Sequence, residues 1–288
     1  MTRARSALLA LLLAHAATAP AQDADWLWID GFEQDAISAF RFSTLALRDP
    51  HVFLQLGTPP LALCFDFTDQ AIPGAGISFN GLIANAYNSD SNPVDGFLDS
   101  STVLLFRPLR GDGAAARVDS VAAQCTAPVE GTQCLPAAAA SALVNFYAAQ
   151  DSGTCLDALP GTVGVPAYSP ALAVATAPCF RTAPRNLVLE NGGVPIPLRD
   201  AQIGARFDPP PVTTLSSGVL RGFLTEAAAA AILLPNPVAG QPPIPLSSLL
   251  PGGAGNCSMR NDRDTHAGES GWWFYFNFSA ALVPWTEF

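Results

Sequence analysis

Hydrophobic positions in this chain fall into short runs separated by proline and glycine, a pattern that favours β-strands over long helices. The clearest run is Gly271–Val283, in which large aromatic residues recur at every second position. Because side chains of a strand alternate between its two faces, one face of this strand is fully aromatic and is predicted to be core. The residues on that face are Trp272, Phe274, Phe276 and Phe278.

Other apolar runs complete a mainly β pattern. Ser101–Leu109 is typical of a buried strand, and Arg185–Phe207 predicts a hairpin whose turn lies at its Asn-Gly-Gly sequence. Few segments favour helix. Thr225–Leu234 has a threonine cap followed by an alanine run, and Leu135–Gln150 predicts either a second, shorter helix or a loosely ordered surface segment. The pattern predicts an antiparallel, jelly-roll-like β-sandwich with one or two short peripheral helices.

The N-terminal segment has the features of a secretory signal peptide. Arg3 and Arg5 precede an apolar run, which is followed by small residues and a cleavage position after Ala21. The run is shorter than the ~20 residues that span a bilayer, and no cysteine follows it to accept a lipid. We therefore expect a signal peptide at residues 1–21, a single mature domain at residues 22–288, no membrane span, and a secreted or periplasmic location.

Composition excludes several classes of function. Hydrophobic residues make up 49% of the chain, which is enough to bury a core. The formal charge is −10, and it becomes −12 once Arg3 and Arg5 are removed. This acidity argues against nucleic acid as a partner and against docking on an anionic membrane. The chain contains no lysine, so chemistry that depends on a lysine amine is excluded.

Six cysteines in the expected mature chain predict up to three disulfides. Six cysteines allow 15 connectivities. We expect Cys125 to pair with Cys134 around a short loop and Cys155 to pair with Cys179, which leaves Cys64 for Cys257. A zinc site is disfavoured, because no Cys-x-x-Cys occurs and the mature chain has two histidines.

The segment Asn88–Asp99 is rich in the oxygen ligands that calcium prefers. It resembles in part the calcium loops of EF-hand-like and thrombospondin-type repeats, but Pro93 and Val94 displace its first three donors from that register. The alternative is a polar turn, since Asn, Asp and Gly favour turns without a metal. The candidate calcium ligands are Asn88, Asp90, Asn92, Asp95 and Asp99.

A second acidic segment directly precedes the aromatic strand. Asp262, Asp264 and Glu269 offer carboxylates for calcium, and the alternative is a charged turn in which Arg263 pairs with one of them.

The same segment also suggests a hydrolase. His266 lies near Asp264 and Ser270 in sequence, and the other histidine available to a Ser-His-Asp triad is His51.

Flat aromatic side chains also suggest a partner. Aromatic rings on a β-face can stack on sugars, although such rings more often belong to a core. These residues suggest either a glycan or a protein surface as partner. The candidates are Trp26, Trp28, Trp273, Tyr275 and Trp285.

Several stretches of the last third, including VLRGFLTEAAAAAILLP, LSSLLPGGAGNC and GWWFYFNFSA, resemble uncharacterised secreted bacterial proteins. The resemblance implies secretion and transfers no catalytic residue. The leading hypothesis is a non-catalytic binding or surface-interaction module with a calcium-binding loop. The alternatives are a secreted hydrolase that uses carboxylates with His266, and a structural envelope or matrix protein without a ligand.

Overall fold

Strands dominate the computed structural model, which describes residues 36–57, 60–138, 140–165, 168–191, 194–236 and 242–287. The predicted signal peptide therefore lies outside the described residues. The strands are β1 (Ser38–Asp49), β2 (Phe53–Leu56), β3 (Leu63–Asp66), β4 (Thr102–Arg107), β5 (Ala116–Cys125), β6 (Cys134–Pro136), β7 (Leu143–Gln150), β8 (Thr154–Leu156), β9 (Ala175–Thr176), β10 (Cys179–Thr182), β11 (Arg185–Asn191), β12 (Val194–Phe207), β13 (Thr214–Thr225), β14 (Leu233–Leu234), β15 (Ile244–Pro245), β16 (Asp264–His266) and β17 (Glu269–Leu282). The helices are α1 (Phe79–Asn88), α2 (Glu226–Ala231) and a 3-10 turn at Leu246–Leu249.

Eight antiparallel strands form a sheet that closes into a barrel. Their order is β1-β4-β5-β7-β10-β12-β13-β17, and β17 then pairs with β1. The closing register runs from Phe40 opposite Leu282 to Asp49 opposite Tyr275. The prediction of a jelly-roll-like β-sandwich is therefore wrong. Alternating inward and outward side chains are common to sandwiches and barrels, so the alternation alone cannot reveal that the first and last strands pair.

Local irregularities help the sheet to curve. The β13–β17 pairing shifts register between Leu215 and Gly218. A Cβ atom at Gly218 would lie 2.6 Å from the Phe278 carbonyl oxygen, so a larger residue would push the two strands apart. Bulges of this kind increase local twist and bend, which a closed barrel requires.

Aromatic side chains fill the interior. The predicted aromatic face of β17 is confirmed, because its four aromatic residues point inward and are at most 3% exposed. Within the same core, a second group of rings, which we call the aromatic cluster, closes the end of the barrel at which β4 and β12 finish. Its rings pack mostly edge to face, the arrangement that aromatic quadrupoles favour. The members of this cluster are Phe40, Phe106, Tyr147, Phe180 and Phe207.

The opposite end, which we call the mouth, is the end where β1 finishes and β12 begins. It is surrounded by α1, α2 and the predicted hairpin, which is confirmed as β11 and β12. The helix predicted after Thr225 is confirmed as α2, and Thr225 caps it by accepting the Ala228 N–H. The helix considered for Leu135–Gln150 is wrong, because that segment contains β6 and β7.

A long connection between β8 and β10 crosses the outer face of β17; we call its described residues, 157–165 and 168–177, the strap. The Leu159 N–H donates to the Tyr275 hydroxyl at 3.0 Å. The Ala173 N–H donates to Asn277 Oδ1 at 2.8 Å. The expected disulfide between Cys155 and Cys179 is confirmed at the base of the strap. The other two expected pairs, Cys125–Cys134 and Cys64–Cys257, are confirmed as well.

Candidate functional site

A cavity of about 410 Å³ lies at the mouth of the barrel; we call it the mouth cavity. Its position agrees with the general rule that barrels of eight strands leave room for a small ligand at the mouth. One wall consists of α1 and the segment around β2 and β3, which contribute Leu54, Phe67, Ile77, Phe79, Leu82 and Ala86. The facing wall consists of Val194, Leu234, Pro235, Asn236, Ile244 and Leu249.

The helix α1 is held firmly against the end of β1. The Leu47 N–H donates to Asn80 Oδ1 at 2.7 Å, and Asn80 Nδ2 donates to the Leu47 carbonyl at 2.9 Å. Ser78 caps the helix by accepting the Gly81 N–H at 3.1 Å. Ile83 and Phe79 anchor its inner face in the core. Since these contacts fix the helix, this wall of the cavity is preformed.

Sequence reasoning missed both α1 and the cavity. The helix contains a glycine and three asparagines, which are weak helix formers, so its propensity is low. Its apolar residues nevertheless recur at helical spacing, and Phe79, Ile83 and Tyr87 are all buried. That spacing and the serine at the N-cap position, Ser78, were the signals available.

A second cavity of about 390 Å³ lies between β11 and the start of β7. It is bordered by Leu187, Leu189 and Ile203, but the polar residues Thr102 and Asn186 also line it. Ligand sites for small molecules are mostly apolar with few polar groups. The mouth cavity matches that description more closely, since its lining has one polar side chain among the described residues.

The predicted calcium loop folds as a series of hydrogen-bonded turns. The Asn92 N–H donates to Asp90 Oδ1 at 3.0 Å, and Asn92 Nδ2 donates to Asp95 Oδ2 at 2.9 Å. Asp99 Oδ1 accepts the backbone N–H and the hydroxyl of Ser91 at 2.8 and 2.7 Å. Asn88 Nδ2 turns back to the Ala84 carbonyl. These side chains therefore form local hydrogen bonds, as the polar-turn alternative expects.

The second acidic segment distributes its side chains among different partners. Asp262 is buried beside Arg260, and Glu269 pairs with Arg199 on the surface. Burial raises the pKa of Asp264, and the nearby charge of Asp262 raises it further. In the part of the chain that the structure describes, no three acidic, histidine or cysteine residues are placed to hold a metal ion. Calcium binding at either segment stays a prediction, which calcium titration of thermal unfolding can test.

The histidines do not form the predicted triad in this structure. His266 Nε2 lies 2.7 Å from Asp200 Oδ2, so its carboxylate partner is Asp200 rather than Asp264. Ser270 is exposed opposite Thr265. His51 Nδ1 lies 2.5 Å from Asp66 Oδ2, and its ring packs 4.0 Å from that of Tyr168.

Beneath the strap lies a buried polar group that sequence reasoning did not identify. Asp49, which is 2% exposed, accepts the Gly164 N–H of the strap at 3.1 Å. Asp262 packs directly on Gly164, and its Oδ2 has no hydrogen-bond partner among the described residues. Burial raises the pKa of Asp49 to about 7, and the charge of Asp262 contributes in the same direction. Asp49 therefore combines a hydrogen bond to the strap with a carboxyl group whose pKa is raised by burial.

Among the described residues, the aromatic side chains considered for glycan stacking are buried or half-buried. The strap buries Trp273 and Tyr275, which are 7% and 0% exposed, so neither presents a ring face to solvent. Trp285 is half-buried against a small cluster around Cys125 and Cys134. Trp26 and Trp28 lie outside the described residues. A glycan partner stays a prediction.

Comparisons with known proteins give no assignment: no family model, curated protein or solved structure matches this chain. Within the residues described, none of the helices is both long and apolar enough to span a membrane.

Proposed function

We propose that this protein binds a small, mainly apolar molecule in the mouth cavity. The observation that carries the proposal is a preformed space of about 410 Å³ with an almost wholly apolar lining. Cavities of this size and character are the usual form of small-molecule sites. The proposal keeps the binding role expected from the sequence and gives it a different site.

The rim of the cavity supports the same function. Leu82 lines the cavity, yet it is 47% exposed to solvent. Leaving an apolar side chain in water is unfavourable, and a ligand that covers it recovers about 25 cal/mol for each Å² removed from water. Because Asn80 holds α1 in place, a ligand would not have to order this wall.

The proposed setting is outside the cytoplasm, secreted or periplasmic. All six cysteines are paired in three disulfides, which persist in oxidising compartments. The predicted signal peptide supports the same location. A binding role there needs no catalytic group.

A fluorescence titration tests the proposal. N-phenyl-1-naphthylamine, an uncharged probe that brightens in apolar surroundings, is expected to bind saturably with one site per chain. Ala86→Trp places an indole in the cavity and is expected to weaken binding by about tenfold or more. Ala84→Trp makes the same change on the same helix outside the cavity and is the matched control.

Comparing probe binding by the two tryptophan variants shows whether the probe occupies the mouth cavity. Equal weakening by both, or no saturable binding by the wild-type protein, would contradict the proposal. Urea unfolding midpoints of both variants, measured with the disulfides intact, confirm that the folded barrel is being compared.

A further inference from the structure

We infer that the ligand of the mouth cavity is uncharged, for example a long-chain alcohol, a terpenoid or a hydrocarbon, rather than a fatty-acid anion. The inference rests on the proposed function and narrows its ligand class. Two features of the molecule support it: the absence of charged side chains in the described lining, and the ion pairs that arginines outside the lining already form.

The described lining of the cavity contains no ionisable side chain. Its polar member is Asn236, a neutral amide whose Nδ2 donates to the Pro242 carbonyl at 3.1 Å. The helix α1, which supplies much of one wall, contains neither acidic nor basic residues. Ser78 already caps the N-terminus of this helix by accepting the Gly81 N–H.

No arginine belongs to the described lining of the cavity, and the following three arginines already pair with carboxylates. Arg48 lies 3.1 Å from Asp69, and Arg263 lies 3.3 Å from Glu226. Arg199 pairs with Glu269. Arg185 borders a separate small space beside Leu187 and is not part of the lining of the mouth cavity. The chain has no lysine to supply another cation.

These observations set the preference between ligands. A carboxylate that enters the cavity loses hydration and gains no counter-charge, which makes its burial strongly unfavourable. The negative net charge of the protein opposes the same anion at long range. An ammonium group is attracted by that field, but the cavity lining offers it no carboxylate as a partner. A neutral molecule incurs neither penalty.

Displacement of bound N-phenyl-1-naphthylamine from the full protein at pH 8 tests the inference. Three competitors share one alkyl chain and differ in charge: decanol, decanoate and decylammonium. We expect decanol to displace the probe at a concentration lower than either ion by about tenfold or more. Equal or stronger displacement by decanoate or by decylammonium would overturn the inference while leaving the proposed function intact.

Placing a charge at the rim gives a second, independent measurement. Leu82→Arg adds a cation to the cavity and is expected to strengthen decanoate binding by about tenfold while weakening the preference for decanol. Val94→Arg adds the same charge on an exposed loop and is expected to leave the order of competitors unchanged. If both variants strengthen decanoate equally, net charge rather than the lining sets the preference. If the probe itself does not bind, the proposed function fails and this inference fails with it.

Discussion

Replacing Phe106 by alanine is expected to lower the free energy of unfolding by about 3–5 kcal/mol. Phe106 is fully buried, and its ring lies 4.9–6.3 Å from the rings of Tyr147, Phe180, Phe207 and Phe40. Alanine would leave a void at the closed end of the barrel, where surrounding rings on four other strands are fixed by sheet pairing. The loss therefore includes a cavity contribution in addition to the lost burial.

Phe146→Ala provides the matched control for this experiment. Phe146 lies on β7 beside Tyr147 but faces outward and is 51% exposed. Its removal should cost less than about 1 kcal/mol. Urea denaturation of both oxidised variants measures the difference, and Phe106→Leu can replace the alanine variant if the latter does not fold. Similar losses for Phe106→Ala and Phe146→Ala would show that the aromatic cluster does not carry the stability assigned to it.

Replacing Asp49 by asparagine is expected to stabilise the protein at pH 8 by on the order of 2–4 kcal/mol. The folded-state pKa of Asp49 is about 7, raised from 3.8 chiefly by burial. An asparagine has no charge to bury, yet its carbonyl oxygen can still accept the Gly164 N–H of the strap. The substitution therefore keeps the contact and removes the ionisation.

The sign of the pH dependence follows from the two pKa values. Between about pH 4 and pH 7 the folded chain retains a proton on Asp49 that the unfolded chain has released. The contribution of this group to the free energy of unfolding therefore falls as pH rises through that window and is constant above it. The titratable groups around Asp49 are Asp262, His51 and Tyr275, and Asp49→Asn leaves all three in place.

Unfolding midpoints of wild type and Asp49→Asn, measured from pH 4 to pH 9, test this expectation. The difference between the two proteins should grow with pH up to about 7 and then level off. Asp151→Asn, which removes a carboxylate from an exposed turn, should show no such growth. A difference that stays constant with pH would mean that Asp49 does not titrate in this range.

Local structure could be predicted from the sequence where each element carries its own signal. The aromatic strand β17, the hairpin β11–β12 and the capped helix α2 each follow from periodicity, turn residues or a cap. Closure of the sheet could not be predicted, because it depends on β1 meeting β17 from the other end of the chain. Side chains alternate between inward and outward positions in the same way in a sheet that closes into a barrel and in a sheet that packs on a second sheet.

The candidate site was harder to predict from the sequence than the fold. The lining of the mouth cavity comes from six separated stretches of the chain, and apart from Asn236 each residue taken singly has the character of an ordinary core residue. Asn88–Asp99 is a calcium candidate by composition alone, and its carboxylates and amides form hydrogen bonds within turns. Asp49 gave no local signal either, since its pKa depends on the strap and on Asp262, which lie far away in sequence.

The pairing of β1 with β17 also governs when this molecule can become complete. In the finished barrel β1 pairs with β4 on one edge and with β17 on the other, so the second edge has no partner until residues near Leu282 have been synthesised. An exposed strand edge is a template for unwanted pairing with other chains. One edge of β1 therefore needs protection until the last strand has been made, whatever the order in which the other strands pair.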